Sequence, residues 1–280
     1  MLVRLKNAVA AGVRSSSALL GKTRVGRVLV EELADAAMTR TDTVTHGGTE
    51  LIFAVPNQMN RWRITTFSSK EPETLEWIDS IPRGSVVWDI GANVGLYSCY
   101  AAKARGCRVV AFEPSVFNLE LLARNVFLNG LTEAVTIVPV ALSERAMVNA
   151  LNMSSTQWGG ALSTFGETWG FDGQPLQKKF EYRTVGMSMD QALEFFSLPP
   201  PEYMKIDVDG IEHLILRGGA RVLSHVRAIS VEITDDFPEM AEECSRILQA
   251  AGLRFAGKRH AAMIDENPTY SQTFNQVWTR

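Results

Sequence analysis

The run Val86-Val87-Trp88-Asp89-Ile90-Gly91-Ala92-Asn93-Val94-Gly95-Leu96-Tyr97 constrains this chain more than any other stretch. It sets a carboxylate at the end of a buried strand and then bends the chain through glycines into a helix. The bend needs residues without a Cβ at Gly91 and Gly95, because only they let the backbone turn sharply and lie close to a ligand. The helix that follows aims its free N–H groups at that ligand. Strand, glycine turn and helix in this order predict an α/β sheet with a nucleotide-like ligand at the first crossover.

Beyond this motif strands and helices alternate, the pattern of a parallel sheet covered on both faces. Strands are expected at 85–90, 108–112, 135–138, 180–185, 203–207, 228–233, 253–257 and 273–279, with helices at 96–105, 115–129, 189–196, 210–223 and 238–251. Ahead of it, 41–45 and 50–55 flank His46-Gly47-Gly48 as a hairpin, 61–67 reads as a third short strand, and Pro72 opens a helix. Residues 151–178 are rich in Gly, Ser and aromatics and read as an excursion too long for a simple connector. Such excursions often carry substrate contacts. The expected division is a small helical and antiparallel-strand extension at 1–70 and a main domain at 71–280.

Composition narrows the ligand. The chain has 280 residues, 46% hydrophobic and 21% charged, enough for one large domain with a full core. Its formal charge of −3, with acids and bases interspersed, offers no positive field for nucleic acid. Its three cysteines, Cys99, Cys107 and Cys244, form no C-x-x-C pair, which argues against a disulfide framework and a zinc knuckle and predicts a reducing, cytoplasmic setting. No stretch approaches the ~20 apolar residues of a membrane span. Arg4, Lys6, Arg14, Lys22, Arg24 and Arg27 precede the first acid, Glu31. This segment reads as a helical extension packed on the domain, with a presequence or a basic helix on an anionic membrane as alternatives.

A dinucleotide fingerprint needs G-x-G-x-x-G, but here Asn93 and Leu96 stand where the second and third glycines belong. A pyrophosphate would meet Asn93 where close backbone approach is required. S-adenosyl-L-methionine carries no phosphate, so Asp89 can favour its ammonium while the loop amides receive its carboxylate. Glu113, 24 residues further on, ends the next strand, where one carboxylate can accept both ribose hydroxyls.

Asp89-Ile-Gly-Ala-Asn-Val-Gly-Leu-Tyr-Ser98, Phe112-Glu-Pro-Ser115 with Asn118 and Asn125, Ala141-Leu-Ser-Glu144 and Lys205-Ile-Asp-Val-Asp-Gly-Ile-Glu212 together resemble the successive motifs of the FkbM family of S-adenosylmethionine-dependent methyltransferases. The resemblance spans roughly residues 62–280. It implies a class I, Rossmann-like fold: a seven-stranded, mostly parallel sheet with helices on both faces and the last strand antiparallel. It also implies methylation of hydroxyl oxygens on glycans, polyketides and related small molecules. By the same resemblance Gly91, Asn93 and Gly95 line the methionine moiety, Glu113 holds the ribose and Ala141 lies near the adenine. Ala92, Pro114, Asn118 and Asp207 are counted with Asp89 among the cofactor contacts. The family commonly has Glu where Asp209 stands.

A sulfonium methyl is already activated, so the protein must align an acceptor oxygen and take or share its proton. Asp207 is the first choice beside the transferring methyl, then Glu212, with Asp209 and His213 within one turn. Other roles compete. Asp209-x-x-Glu212 resembles a capping box ahead of an apolar helix. Lys205 and Asp207 share one strand face by alternation, and Glu232 joins them in an ion-pair brace. Asp207, Asp209 and Asp235 offer carboxylates to a divalent cation, but nothing in the pattern demands one, and no metal is expected. Trp62, Trp158, Trp169, Ser154, Ser155 and Ser163 are candidates for the acceptor pocket. The rival functions are a catalytically silent cofactor binder and, disfavoured by the missing glycines, a nicotinamide oxidoreductase.

Overall fold

The computed structural model describes residues 2–260 and 270–280; the side chains of 2–7, 10 and 14, and with them Arg4, Lys6 and Arg14, lie outside the described set. Two helices, α1 (Leu2–Leu20) and α2 (Arg24–Met38), precede a hairpin of β1 (Thr41–His46) and β2 (Thr49–Ala54), then α3 (Gln58–Thr65), α4 (Phe67–Lys70) and α5 (Pro72–Ser80). The motif strand β3 (Val86–Ile90) is followed by α6 (Leu96–Arg105), β4 (Arg108–Phe112), α7 (Val116–Leu128) and β5 (Val135–Val138). An inserted group comprises β6 (Ala141–Leu142), β7 (Met147–Met153), β8 (Ser163–Phe165) and β9 (Phe180–Met187). The chain then runs through α8 (Met189–Phe195), β10 (Tyr203–Ile206), α9 (Glu212–Arg217), α10 (Ala220–His225), β11 (Ala228–Thr234), α11 (Pro238–Ala250), β12 (Arg254–Arg259) and β13 (Thr273–Thr279).

The main sheet has the expected seven strands, in the order β12-β13-β11-β10-β3-β4-β5. β3 pairs parallel with β4 and β10, while β13, the last strand, lies antiparallel between β11 and β12. From β3 the chain crosses to β4, and from β10 it crosses the other way to β11. That reversal opens a crevice beyond the carboxyl ends of β3 and β10, where ligands of such sheets bind. One face of the sheet is apolar: Met204, Ile206, Ile229, Val231, Ile233 and Trp278 are at most 2% exposed and pack with residues of α9, α10 and α11. Against the other face, Leu51, Phe53, Ile64 and Phe67 join Val87 and Val109 in one core, so the hairpin and α3 are fastened to the sheet.

Four local expectations are corrected. Residues 61–67 are helical, because Asn57 caps α3 by accepting the Asn60 N–H at 2.8 Å and the buried positions Ile64 and Phe67 fall three apart. The predicted helix 210–223 is two short helices that part at Gly218-Gly219, where a Cβ on Gly218 would lie 2.5 Å from the Ser143 carbonyl oxygen. The 180–185 strand does not extend the main sheet: β9 pairs with β7 in a second sheet ordered β6-β9-β7-β8, which takes up 151–153 and 163–165 of the excursion. Over the described side chains the N-terminal helices are not packed on the domain as expected, and Val9, Val13 and Leu19 of α1 stay exposed. Gly26 is the one buried residue of α2, while Val25, Val28, Leu29 and Leu33 stay exposed. Among the described residues no helix is long and apolar enough to cross a membrane.

Candidate active site

The loop from β3 to α6 takes its shape from its neighbours. Gly91 has φ 84°, and a Cβ there would lie 1.9 Å from the Asp207 carbonyl oxygen, so β10 can approach β3 only over a glycine. At Gly95, φ 80°, the obstruction would be Leu122 Cδ1 at 2.3 Å. Asn93 also turns left-handed, at φ 50°, which points its N–H at Glu113 Oε2, 2.8 Å away. Glu113 Oε1 accepts the Ser115 N–H at 2.7 Å. Burial nevertheless outweighs these bonds and pushes the Glu113 carboxyl up to about 8.

A first cleft opens beside Glu113. Gly91, Asn93, Pro114 and Asn118 border its polar end, and Phe112, Val140, Ala141 and Leu142 its apolar end. Its volume is only about 60 Å³, because the excursion lies across it. The Gly160 carbonyl accepts from the side chains of Asn93 (2.9 Å) and Asn118 (3.0 Å), and the Gly159 N–H donates to Asn118. From α3, Asn60 donates to the Trp158 carbonyl and Arg63 to that of Gly159, at 2.9 and 2.7 Å. Asp209 Oδ2 anchors the far end by accepting the N–H groups of Leu162 and Ser163, at 2.8 and 3.2 Å. Residues 158–163 thus form a flap over the first cleft.

A second cleft of about 350 Å³ lies on the other side of the motif loop, bordered by Trp62, Arg63, Lys70, Tyr97, Lys205 and Glu232. The two clefts share a wall made of Gly91, Asn93, Ala161, Asp207 and Asp209. This wall sits at the topological reversal of the sheet.

The charges along it are graded. Lys205, 3% exposed, pairs with Asp207 at 2.5 Å. Burial disfavours its ammonium, but Asp207, Glu71 and Asp89 outweigh burial and raise its pKa. Burial acts likewise against ionised Asp207, and Lys205 overcomes it, so Asp207 is held below the usual carboxylate range. Glu71 pairs with Lys70 and is also lowered. Glu232 goes the other way: burial, with Asp207 and Glu71 as like-charged neighbours, keeps it protonated far above the ordinary range. Asp209 lies between these extremes, raised to about 6 by burial and then by Asp207.

The structure gathers Gly91, Ala92, Asn93, Glu113, Pro114, Asn118, Ala141, Asp207 and Asp209 along the two clefts. Asp89, Gly95 and Glu212 border neither. Asp89 is buried under the loop, where Oδ2 accepts from Ser98 Oγ at 2.5 Å and Oδ1 lacks a partner among the described residues. Burial raises its pKa, against the pull of Lys205. Glu212 turns back to accept the N–H groups of Val208 (3.2 Å) and Gly210 (3.1 Å), and burial raises it to about 7. The capping-box arrangement is therefore absent: Asp209 secures the flap and Glu212 the loop before α9. His213 packs edge-on against Phe237. Asp207, Asp209 and Asp235 hold three different partners, the last being Lys258, and no trio of His, Cys, Asp or Glu among the described residues is placed to bind a metal. Trp62 borders the second cleft and Ser163 the first, whereas Trp169 donates to the Gly210 carbonyl at 3.2 Å.

Arg63, Lys70, Glu71 and Tyr97 escaped the sequence reading. Arg63 lay in a segment read as a strand, Lys70 and Glu71 carry no motif of their own, and Tyr97 stood in the first motif without a role assigned to it. Alternation would have put Arg63 and Trp62 on opposite faces, but the α3 helix brings both to the cleft.

The chain matches the methyltransferase FkbM domain over residues 89–259. Hexuronic acid methyltransferase AglP of Haloferax volcanii is 24% identical over 189 residues, which cover 65% of this chain and 69% of that protein. Among solved structures, methyltransferase FkbM of Methylobacillus flagellatus KT superposes with a TM-score of 0.50 at 14% identity, over 79% of this chain and 52% of that one. That likeness concerns the fold.

Proposed function

This chain belongs to the FkbM methyltransferase family, and on that premise we propose that it transfers a methyl group from S-adenosyl-L-methionine to a hydroxyl oxygen of an acidic sugar or similar glycan-like small molecule. The observation that carries this reading is the shared wall: two clefts that meet, among the described residues, at Gly91, Asn93, Ala161, Asp207 and Asp209 give a donor and an acceptor one point of contact. The 71–280 segment carries the donor side in this reading, and the 1–70 extension contributes Arg63 and Lys70 to the acceptor side.

Bound in the first cleft, the cofactor supplies a methyl already activated on sulfur. Glu113, gripped by two backbone amides, is the group that holds the ribose hydroxyls, and the surface of Phe112 and Ala141 takes the adenine. Gly91 and Asn93 serve the amino-acid end, above the unpartnered oxygen of Asp89, while Ala92 between them borders the second cleft. Ligand sites commonly enclose ~300–1,000 Å³, so the flap withdraws from the 60 Å³ cleft to admit a ligand of this size.

On the acceptor side, Asp207 is ionised by Lys205 and orients a hydroxyl by accepting its hydrogen bond. Asp209, with a pKa of about 6, is better matched to take the proton at neutral pH, since a general base works best when its pKa lies near the working pH. Arg63 favours an acid among sugars: it borders the cleft, and while its Nη2 donates to the Gly159 carbonyl, its buried Nε lacks a partner among the described residues. The relative that acts on a hexuronic acid supports the same choice. The test is incubation with methyl-labelled cofactor and a panel of uronic acids and neutral sugars, followed by NMR of the product. Label in an ether on an acid sugar is expected; label only on neutral sugars, label only in a methyl ester, or no label at all would overturn the reading.

A further inference from the structure

We infer that the acceptor cleft continues into a second subsite, which binds the next sugar-like unit of an extended acceptor. This inference rests on the proposed function and lengthens its acceptor from one unit to at least two.

The sheet register carries the argument. Strands covered on both faces of a mostly parallel sheet are apolar nearly throughout. Here one face departs from that rule. Asp89, Lys205 and Ser230 lie opposite one another across β3, β10 and β11. One step along, Glu232, Asn275 and Arg259 form the next row across β11, β13 and β12, with Asp207 beside them by alternation from Lys205. The reverse face of β3, β10 and β11 is apolar. Ser98 of α6 rests on Asp89, whereas Lys205, Ser230, Glu232 and Asn275 border open cavities.

Part of this floor, Lys205, Asp207 and Glu232, is the acceptor cleft already described. Glu73 and Asn275, joined by a 2.9 Å hydrogen bond, form a sill that borders both that cleft and a separate cavity of about 440 Å³. Beyond the sill lie Trp77, Ser230, Lys258 and Arg259. Two buried polar atoms there lack partners among the described residues, Glu73 Oε2 and Ser230 Oγ, although their residues are only 7% and 1% exposed. Buried polar groups are nearly always hydrogen-bonded, so each unmatched one calls for an explanation. Ligand hydroxyls supply it. A buried acceptor, a buried hydroxyl and one aromatic side chain form the combination that recognises a polyhydroxylated ring, beside Lys258 and Arg259, which pair with Asp235 and Glu76. The volume also falls within the ~300–1,000 Å³ of small-ligand sites.

The test is calorimetric titration of the full chain, with S-adenosylhomocysteine present, using glucuronate and galacturonate and the disaccharides built from each. At least one disaccharide should bind tenfold or more tightly than its monosaccharide, about 1.4 kcal/mol, and Ser230→Val should abolish the gain by filling the cavity floor. Glu73→Gln, which keeps the bond to Asn275 but replaces the orphan acceptor with a donor, should do the same in a protein whose melting curve shows it folded. Equal affinity across the panel, or a gain that survives both substitutions, overturns the subsite. Methyl transfer to the same panel is scored separately. Transfer without any length dependence would remove the subsite and leave the function standing, whereas a disaccharide gain without transfer would do the reverse.

Discussion

Replacing Asp209 by Asn isolates its proposed chemistry from its structural duty. An Asn oxygen can still accept the N–H groups of Leu162 and Ser163, so the anchor of the flap survives. The left-handed backbone at this position, φ 64°, is one that Asn adopts readily. What disappears is the ionisable oxygen. A positioned general base contributes roughly 10²–10⁴-fold, or about 3–5 kcal/mol of barrier, and the Asp209→Asn variant should lose kcat to that extent. The pH profile gives an independent reading. Burial and Asp207 raise Asp209 to about 6, and only its ionised form takes a proton, so wild-type kcat/KM should fall as pH drops through about 6 and level off above about 7. The variant should be slow and flat across the same window. Initial rates of label transfer between about pH 5 and 8 measure both. A variant within threefold of wild type, with the acid limb unchanged, would refute Asp209 as the proton acceptor.

Two further substitutions probe the scaffold. Asn60→Ala removes one bond that holds down the flap, to the Trp158 carbonyl, and should raise the rate of cofactor association roughly two- to tenfold in stopped-flow measurements; an unchanged rate would mean that the flap does not gate entry. Asn125 donates to the Val94 carbonyl and accepts the Ala54 N–H, both at 2.8 Å and buried, so Asn125→Ala should cost about 2–5 kcal/mol in urea denaturation by stranding both groups; a loss below about 1 kcal/mol would show that the hairpin and motif loop are fastened elsewhere.

What could be read from the chain was what neighbours in sequence decide. Gly91 and Gly95 announced the loop, strand alternation put Lys205 and Asp207 on one face, and the order of strands and helices announced a parallel sheet covered on both faces, while its seven strands were implied by the family resemblance. What could not be read depends on distant partners. Nothing local says that a Cβ on Gly218 would strike Ser143, so the split between α9 and α10 was hidden. The β-branched residues near Ile64 mimicked a strand until the Asn57 cap and burial against the sheet made them helical. Asp209 and Glu212 looked like a capping pair in one dimension, yet the flap lies against the first and its own loop amides against the second. The polar floor was partly visible as Lys205, Asp207 and Glu232, but its continuation through Ser230 and Asn275 emerged only with the register of β11 and β13.

The most direct measurement is a titration of S-adenosyl-L-methionine into the wild-type protein and Glu113→Ala, followed by calorimetry. One molecule should bind per wild-type chain, and removal of the carboxylate between the Asn93 and Ser115 amides should weaken binding at least tenfold. Absence of binding to wild type, or equal affinity in the two proteins, would contradict the placement of the cofactor beside Glu113.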